Sequence, residues 1–171
     1  MFFRLLRGFV CAAEIANETA GRALSWLLPL MTAVTLAVII SGAVFRVGWV
    51  WLGETVVYMH AALFMLAAGY TLRRDAHVRV DLFYARFSPR AQAMVNLGGA
   101  LFLLLPVCGA IFVYSLPYVA ASWSVLEHSP EGEGLGGVFL LKTCIPLFAA
   151  MMILEGLAMA ARAVLEIWGK R

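Results

Sequence analysis

The sequence predicts an all-α integral membrane protein: four transmembrane helices preceded by an amphipathic interfacial helix, forming one membrane domain over 1–171. Three observations predict it. The 171 residues are 63% hydrophobic and only 13% charged, where a soluble domain averages about a quarter charged. The apolar residues fall in four runs long enough to cross a hydrocarbon core of about 30 Å. The thirteen Lys and Arg sit at the ends of these runs. That is the positive-inside pattern of membrane proteins, not a nucleic-acid footprint, so no nucleic-acid partner is expected.

The first element covers 2–18. Polar or small residues fall at 4, 7, 11, 14, 18 and 22, in alternating steps of three and four, a stripe down one helical face. Phe2, Phe3, Leu5, Leu6, Phe9, Val10 and Ile15 cover the rest. Such a helix lies in the headgroup region in contact with membrane lipids, with 17–19 as the corner where the chain turns into the membrane. Glu14 and Glu18 interrupt any signal-peptide core, which needs about 7–15 apolar residues, so no cleavable leader is expected. Span one covers about 23–45, uncharged between Arg22 and Arg46. Pro29 kinks it or sits in its first turns. Span two covers about 53–72, bounded by Glu54 and Arg73, with His60 inside.

Span three covers about 89–117. Ser88 supplies an N-cap and Pro89 a first-turn proline. Residues 91–126 carry no charge, and one upright helix of that length would exceed about 50 Å. Two spans would need a polar turn near Pro106, where none stands. One long tilted helix is predicted to about Pro117, then a flatter segment over 118–126 with Tyr118 and Trp123 at headgroup level. Span four covers about 137–163, with Lys142 near one end and Glu155 near the other.

Counted along the chain, Lys and Arg run three, one, five, one, three across the N-terminal segment, three loops and C-terminal end. The alternation predicts both termini and the central loop in the cytoplasm, and the acidic loop with Glu127, Glu131 and Glu133 outside.

An enzyme or electron carrier needs reactive groups gathered at one depth. Cys11, Cys108 and Cys144 are far apart and form no CxxC, so they read as small gap-filling residues. Among the three histidines His60 alone lies within a span, while His77 and His128 fall in loops on opposite sides. Facing haem ligands are excluded, no metal-ligand spacing or phosphate-cradling loop occurs, and no cofactor is expected in this chain.

Ionisable residues inside spans are costly and usually mark function or a partner. Glu54, at the outer end of span two, reads either as a headgroup-level residue or as a contact with a partner subunit. His60, about two turns deeper, reads as a hydrogen bond to a neighbouring helix rather than a proton relay. Glu155 shares a face with Arg162, seven residues on, near the cytoplasmic boundary, where it snorkels to water or makes a local polar contact. In the central loop His77, Arg79 and Asp81 alternate with Val78, Val80 and Leu82. The plain reading is a solvated topology anchor; the sharper one is a collar packed on the membrane or a partner, held by salt bridges. Too few polar residues reach the interior to line a substrate path. Four largely apolar helices suit a subunit whose faces meet lipid or another membrane protein. The rival readings are a free-standing small transporter or channel, a structural membrane protein, and a membrane enzyme or electron carrier.

The central loop resembles the small membrane subunit (Q-type) of TRAP transporters, the tripartite ATP-independent periplasmic transporters. The resemblance lies in Tyr70-Thr71-Leu72-Arg73, then His77-Val78-Arg79-Val80-Asp81, then Phe83-Tyr84-Ala85-Arg86-Phe87-Ser88-Pro89-Arg90. Trp123 with Glu127-x-Ser129 resembles the end of span three, Lys142 with Pro146 the opening of span four, and Glu54 an acidic residue before span two. Gly42 stands where many members carry Arg, with Arg46 one turn on, and Glu155 stands where many carry Gln. The resemblance implies a non-enzymatic scaffold subunit in a bacterial inner membrane. Its implied partners are a large membrane subunit, which carries the transport site and the sodium coupling, and a periplasmic substrate-binding protein for an organic acid. The candidate interface residues are then Glu54, His60, His77, Arg79, Asp81, Glu127, Ser129 and Glu155.

Overall fold

The computed structural model describes residues 2–77 and 84–168. Their elements are helical: α1 Phe2–Ser25, α2 Leu27–Val44, α3 Val50–Leu66, α4 Ala68–Arg73, α5 Pro89–Gly99, α6 Leu105–Ser124 and α7 Val138–Trp168, with a 3₁₀ turn at Tyr84–Arg86 and a π turn at Ala100–Leu104. Four helical stretches are long and apolar enough to cross a membrane: Phe3–Val44, Val50–Arg73, Pro89–Ser124 and Val138–Trp168.

The first stretch differs from its predicted outline. α1 runs straight through the corner expected at 17–19, and the helix is interrupted at Trp26 instead. The cause is Pro29, in the first turn of α2. It has no N–H for the carbonyl of Ser25, and its ring crowds that carbonyl. Residues 17–19 carry no such obstacle.

The third stretch runs without such an interruption. Ser88 caps α5, its Oγ accepting from the Ala91 N–H at 3.4 Å. Pro106 then removes a donor and crowds the Phe102 carbonyl. The helix answers by widening, with the Leu105 N–H donating to Ala100 O, five residues back. The Leu104 side chain from this π turn lies where a Cβ on Gly156 of α7 would sit. Beyond it, α6 passes Pro117 and ends at Ser124, so most of the flatter segment expected at 118–126 is helical. One proline costs a single hydrogen bond, whereas a full break would expose several backbone groups in an apolar setting. The chain turns out of the helical path at Leu126, two residues past the end of α6, which takes φ 45. The Glu127 N–H reaches Ser122 O and the Leu126 N–H reaches Trp123 O, the paired bonds of a left-handed C-terminal cap. Asp75, at φ 51, closes α4 in the same way.

α7 is the axis of the bundle. It packs on α6, α1, α5, α3 and α4. Its buried face is built from small residues (Ala149, Gly156, Ala158, Ala160, Ala161, Ala163), with Pro146, Met152 and Glu155 among them. Small side chains let neighbouring backbones approach closely. α1 uses the same device against α4: the Tyr70 ring covers Gly21, and the Asn17 side chain occupies the space beside Gly69.

Candidate functional site

Two polar clusters tie the helices to α7, one toward each end. Lys142 and Arg162 are twenty residues apart on that helix, or about 30 Å along its axis.

The first cluster joins α1, α4 and α7. Glu155 has no solvent exposure. One carboxylate oxygen accepts from Arg162 at 2.7 Å, and the other accepts from the Asn17 amide at 2.9 Å. Arg162 also donates to Glu14 at 2.7 Å. Glu14 faces Arg73 at 3.6 Å, and Arg73 donates to Glu18. Glu18 further accepts from Arg74 at 2.5 Å and Arg22 at 2.8 Å. Arg74 lies 5.3 Å over the Tyr70 ring. Three carboxylates thus meet four guanidinium groups. Asn17 is buried, and its Oδ1 has no hydrogen-bond partner among the described residues.

The second cluster secures the loop between α6 and α7. Glu54 of α3 accepts from the Ser129 hydroxyl and, at 2.5 Å, from the Leu135 N–H. Glu127 accepts from Lys142 at 2.5 Å and from Ser122 at 2.6 Å. Lys142 lies 4.3 Å over the Tyr118 ring, and Trp123 donates to Thr143 at 2.9 Å. The Lys142 bond, followed by that from Ser122, holds the Glu127 carboxyl below the usual carboxylate range.

These contacts place the residues singled out in the sequence. Glu54, Ser129 and Glu127 gather at one end, with Glu54 bound within the chain. Glu155 joins the other end with Arg162, as their spacing implied; it does not reach water. His60 is exposed on α3 and stacks on Phe64 at 6.1 Å. His77 is exposed at the edge of the described region, and Arg79 and Asp81 lie outside the described residues. Sequence reasoning missed Glu14, Asn17 and Glu18 as partners, and looked for the salt bridges of Arg73 and Arg74 within the central loop, whereas they are made with α1. A signal was available. A helix resting on a membrane surface favours Lys and Arg on its polar face; two glutamates there point to basic partners in the protein.

The arrangement holds helices and offers little chemistry. No group of three metal-ligating side chains occurs among the described residues. Cys11, Cys108 and Cys144 are free and differ in exposure. Fold and clusters together define a multi-pass, all-helical membrane protein whose ionisable side chains clasp its own helices. Residues 31–166 match the family model described as tripartite ATP-independent periplasmic transporters, DctQ component. The chain belongs to this family and is a transporter component, not an enzyme. No curated protein and no solved structure matches it. The matched region begins after α1, so Glu14, Asn17 and Glu18 lie outside it, while Arg73, Glu155 and Arg162 lie within.

Proposed function

We propose that this chain is the scaffold subunit of a sodium-coupled uptake system for an organic acid. It holds the large membrane subunit fixed in the bilayer while the transport site in that subunit moves. A periplasmic binding protein delivers the substrate, docking in part on the outer loop that carries Glu127 and Ser129. Both termini and the central loop lie in the cytoplasm, as the alternation of basic residues indicates. α1 rests in the headgroup region with Phe3, Leu5, Phe9 and Ile15 exposed toward lipid, and Glu14 and Glu18 turned onto Arg73, Arg74 and Arg162. α1 and α2 together span 42 residues, about twice what a crossing needs, and α2 alone, at about 27 Å, suits the hydrocarbon core.

The observation that carries this reading is the pairing of the ionisable groups at the two ends of α7. Those groups bind one another, and among the described residues they form no line of polar groups for a substrate to follow. The test is reconstitution. The chain alone in proteoliposomes should transport no organic acid, and the chain with its large subunit and binding protein should transport one in a sodium gradient. Transport by the chain alone would sink the scaffold reading.

A further inference from the structure

His60 stands in the middle of the second stretch, about 15 Å along the axis from Val50 and about 20 Å from Arg73. Hydrocarbon surrounds that depth on any face not covered by protein, and an imidazole there is costly unless hydrogen-bonded. The Ser and Thr hydroxyls of the spans meet this demand inside the chain, whereas the buried Tyr58 hydroxyl has no partner among the described residues. Thr32, Thr35, Ser41, Thr55, Thr71 and Ser115 each donate to a carbonyl of their own helix. His60 makes no such bond among the described residues. It is exposed, and its contact is the ring of Phe64.

The residues around it form one stripe. Gly53, Val57, His60 and Phe64 recur at helical steps of four, three and four. Val57 is 57% exposed and Phe64 73% exposed. A Cβ on Gly53 would meet nothing within 4 Å, which leaves room for a close backbone. Small residues, bulky apolar residues and one polar group at mid-depth are the materials of a helix–helix contact in a membrane.

We propose that this face of α3 is covered by a transmembrane helix of a second chain, and that this helix carries a hydrogen-bond acceptor, a carboxylate or a free carbonyl, opposite His60. Resting on the scaffold reading, the occupant is the large membrane subunit. His60 donates to it, and the groove over Gly53 seats its backbone. The contact sets the rotation of α3 against the partner, since a turn of the helix by one residue would leave the imidazole in lipid.

The test uses the co-expressed complex. A photo-crosslinking phenylalanine analogue is placed at Val57 or Phe64, and for comparison at Ile39 on α2 or Leu103 in the π turn, all exposed. The expected result is crosslinking to the large subunit from 57 and 64. In the same complex His60→Leu should weaken retention of the large subunit about three- to tenfold, and His60→Gln, which can still donate, should restore part of it. The isolated His60→Leu chain should unfold in detergent like the wild type, because His60 makes no hydrogen bond within it. Crosslinks from 39 or 103 but not from 57 and 64 overturn the assignment of this face and leave the scaffold reading standing. Undiminished retention with His60→Leu overturns the role of the imidazole. Failure of the wild-type chain to co-purify with any large subunit overturns the scaffold reading and this proposal together.

Discussion

Replacing Arg162 with methionine tests whether Glu155 is held in the bundle as a charge. Glu155 is fully buried, with Arg162 on one oxygen and Asn17 on the other. In Arg162→Met the carboxylate keeps only the neutral amide. Removing one partner of a buried ion pair costs about 3–5 kcal/mol. The Arg162 side chain is 35% exposed, so water reaches part of the vacated space and the lower value, about 3 kcal/mol, is expected. Glu155→Gln removes the charge and keeps the shape. Arg162 retains Glu14, and the new amide can donate to the Asn17 Oδ1 that lacks a partner, so the expected cost is about 1 kcal/mol. The double variant then has no buried charge to strand and should recover about 2 kcal/mol relative to the sum of the single changes. The assay is equilibrium unfolding of the four proteins in mixed detergent micelles, followed by far-ultraviolet circular dichroism. Strictly additive costs would refute the argument, because they would mean that Glu155 and Arg162 do not depend on one another.

Three further outcomes follow from local geometry. Gly69→Ala should destabilise by about 1–3 kcal/mol, because its Cβ meets Asn17 and, at 3.1 Å, the backbone carbonyl of Met151. Gly8→Ala meets nothing within 4 Å and should be neutral or stabilising by up to about 1 kcal/mol in the same assay. Leu126→Gly should stabilise by about 1 kcal/mol, since Leu126 holds φ 45 where a Cβ is strained. Glu127 gives a pH dependence: its folded pKa is lowered by Lys142 and then Ser122, so its contribution is full above the unfolded value of about 4.3 and is lost as pH falls through the lower, folded value. Trp123 fluorescence should therefore change only below about pH 4.3, and Glu127→Gln should abolish that step.

The spans were legible because membrane crossing depends on length and apolarity, which a sequence displays directly. The apolar stretch from Ala91 needs no neighbour to be recognised. Pro29 and Pro106 were legible as disturbances, but their form was not. A proline states that a hydrogen bond is missing, not whether the helical bonding lapses for one residue, as at Trp26, or widens, as at 100–104. The clusters were mostly hidden for a different reason. Glu155 and Arg162 share a helix face, so seven-residue spacing exposes their pairing. Asn17 meets Glu155 across 138 positions, and only the packing of α1 on α7 brings them together. Asn17 also looked like a corner residue, because asparagine favours turns when nothing nearby satisfies its amide. In the bundle, Ala13 O and Glu155 satisfy its N–H groups.

The positions of the clusters explain how one apolar chain supports strong polar ties. A buried ion pair loses hydration that its Coulomb attraction only partly restores, and the loss is greatest at the bilayer centre. Here Glu14, Glu18, Arg73 and Arg74 gather toward one end of α7, and Glu54, Glu127 and Lys142 toward the other. Between Lys142 and Glu155 the buried face of α7 carries no charge, and Ala149 lets neighbouring helices pack closely there. Such a bundle is pinned by polar contacts at both clusters, and Glu155 carries one of them to the middle of α7. His60 differs from both clusters: it is exposed in the middle of its stretch and makes no hydrogen bond among the described residues. A bundle already pinned at both ends gains nothing from it internally, and that is why its place in the fold points to a second chain.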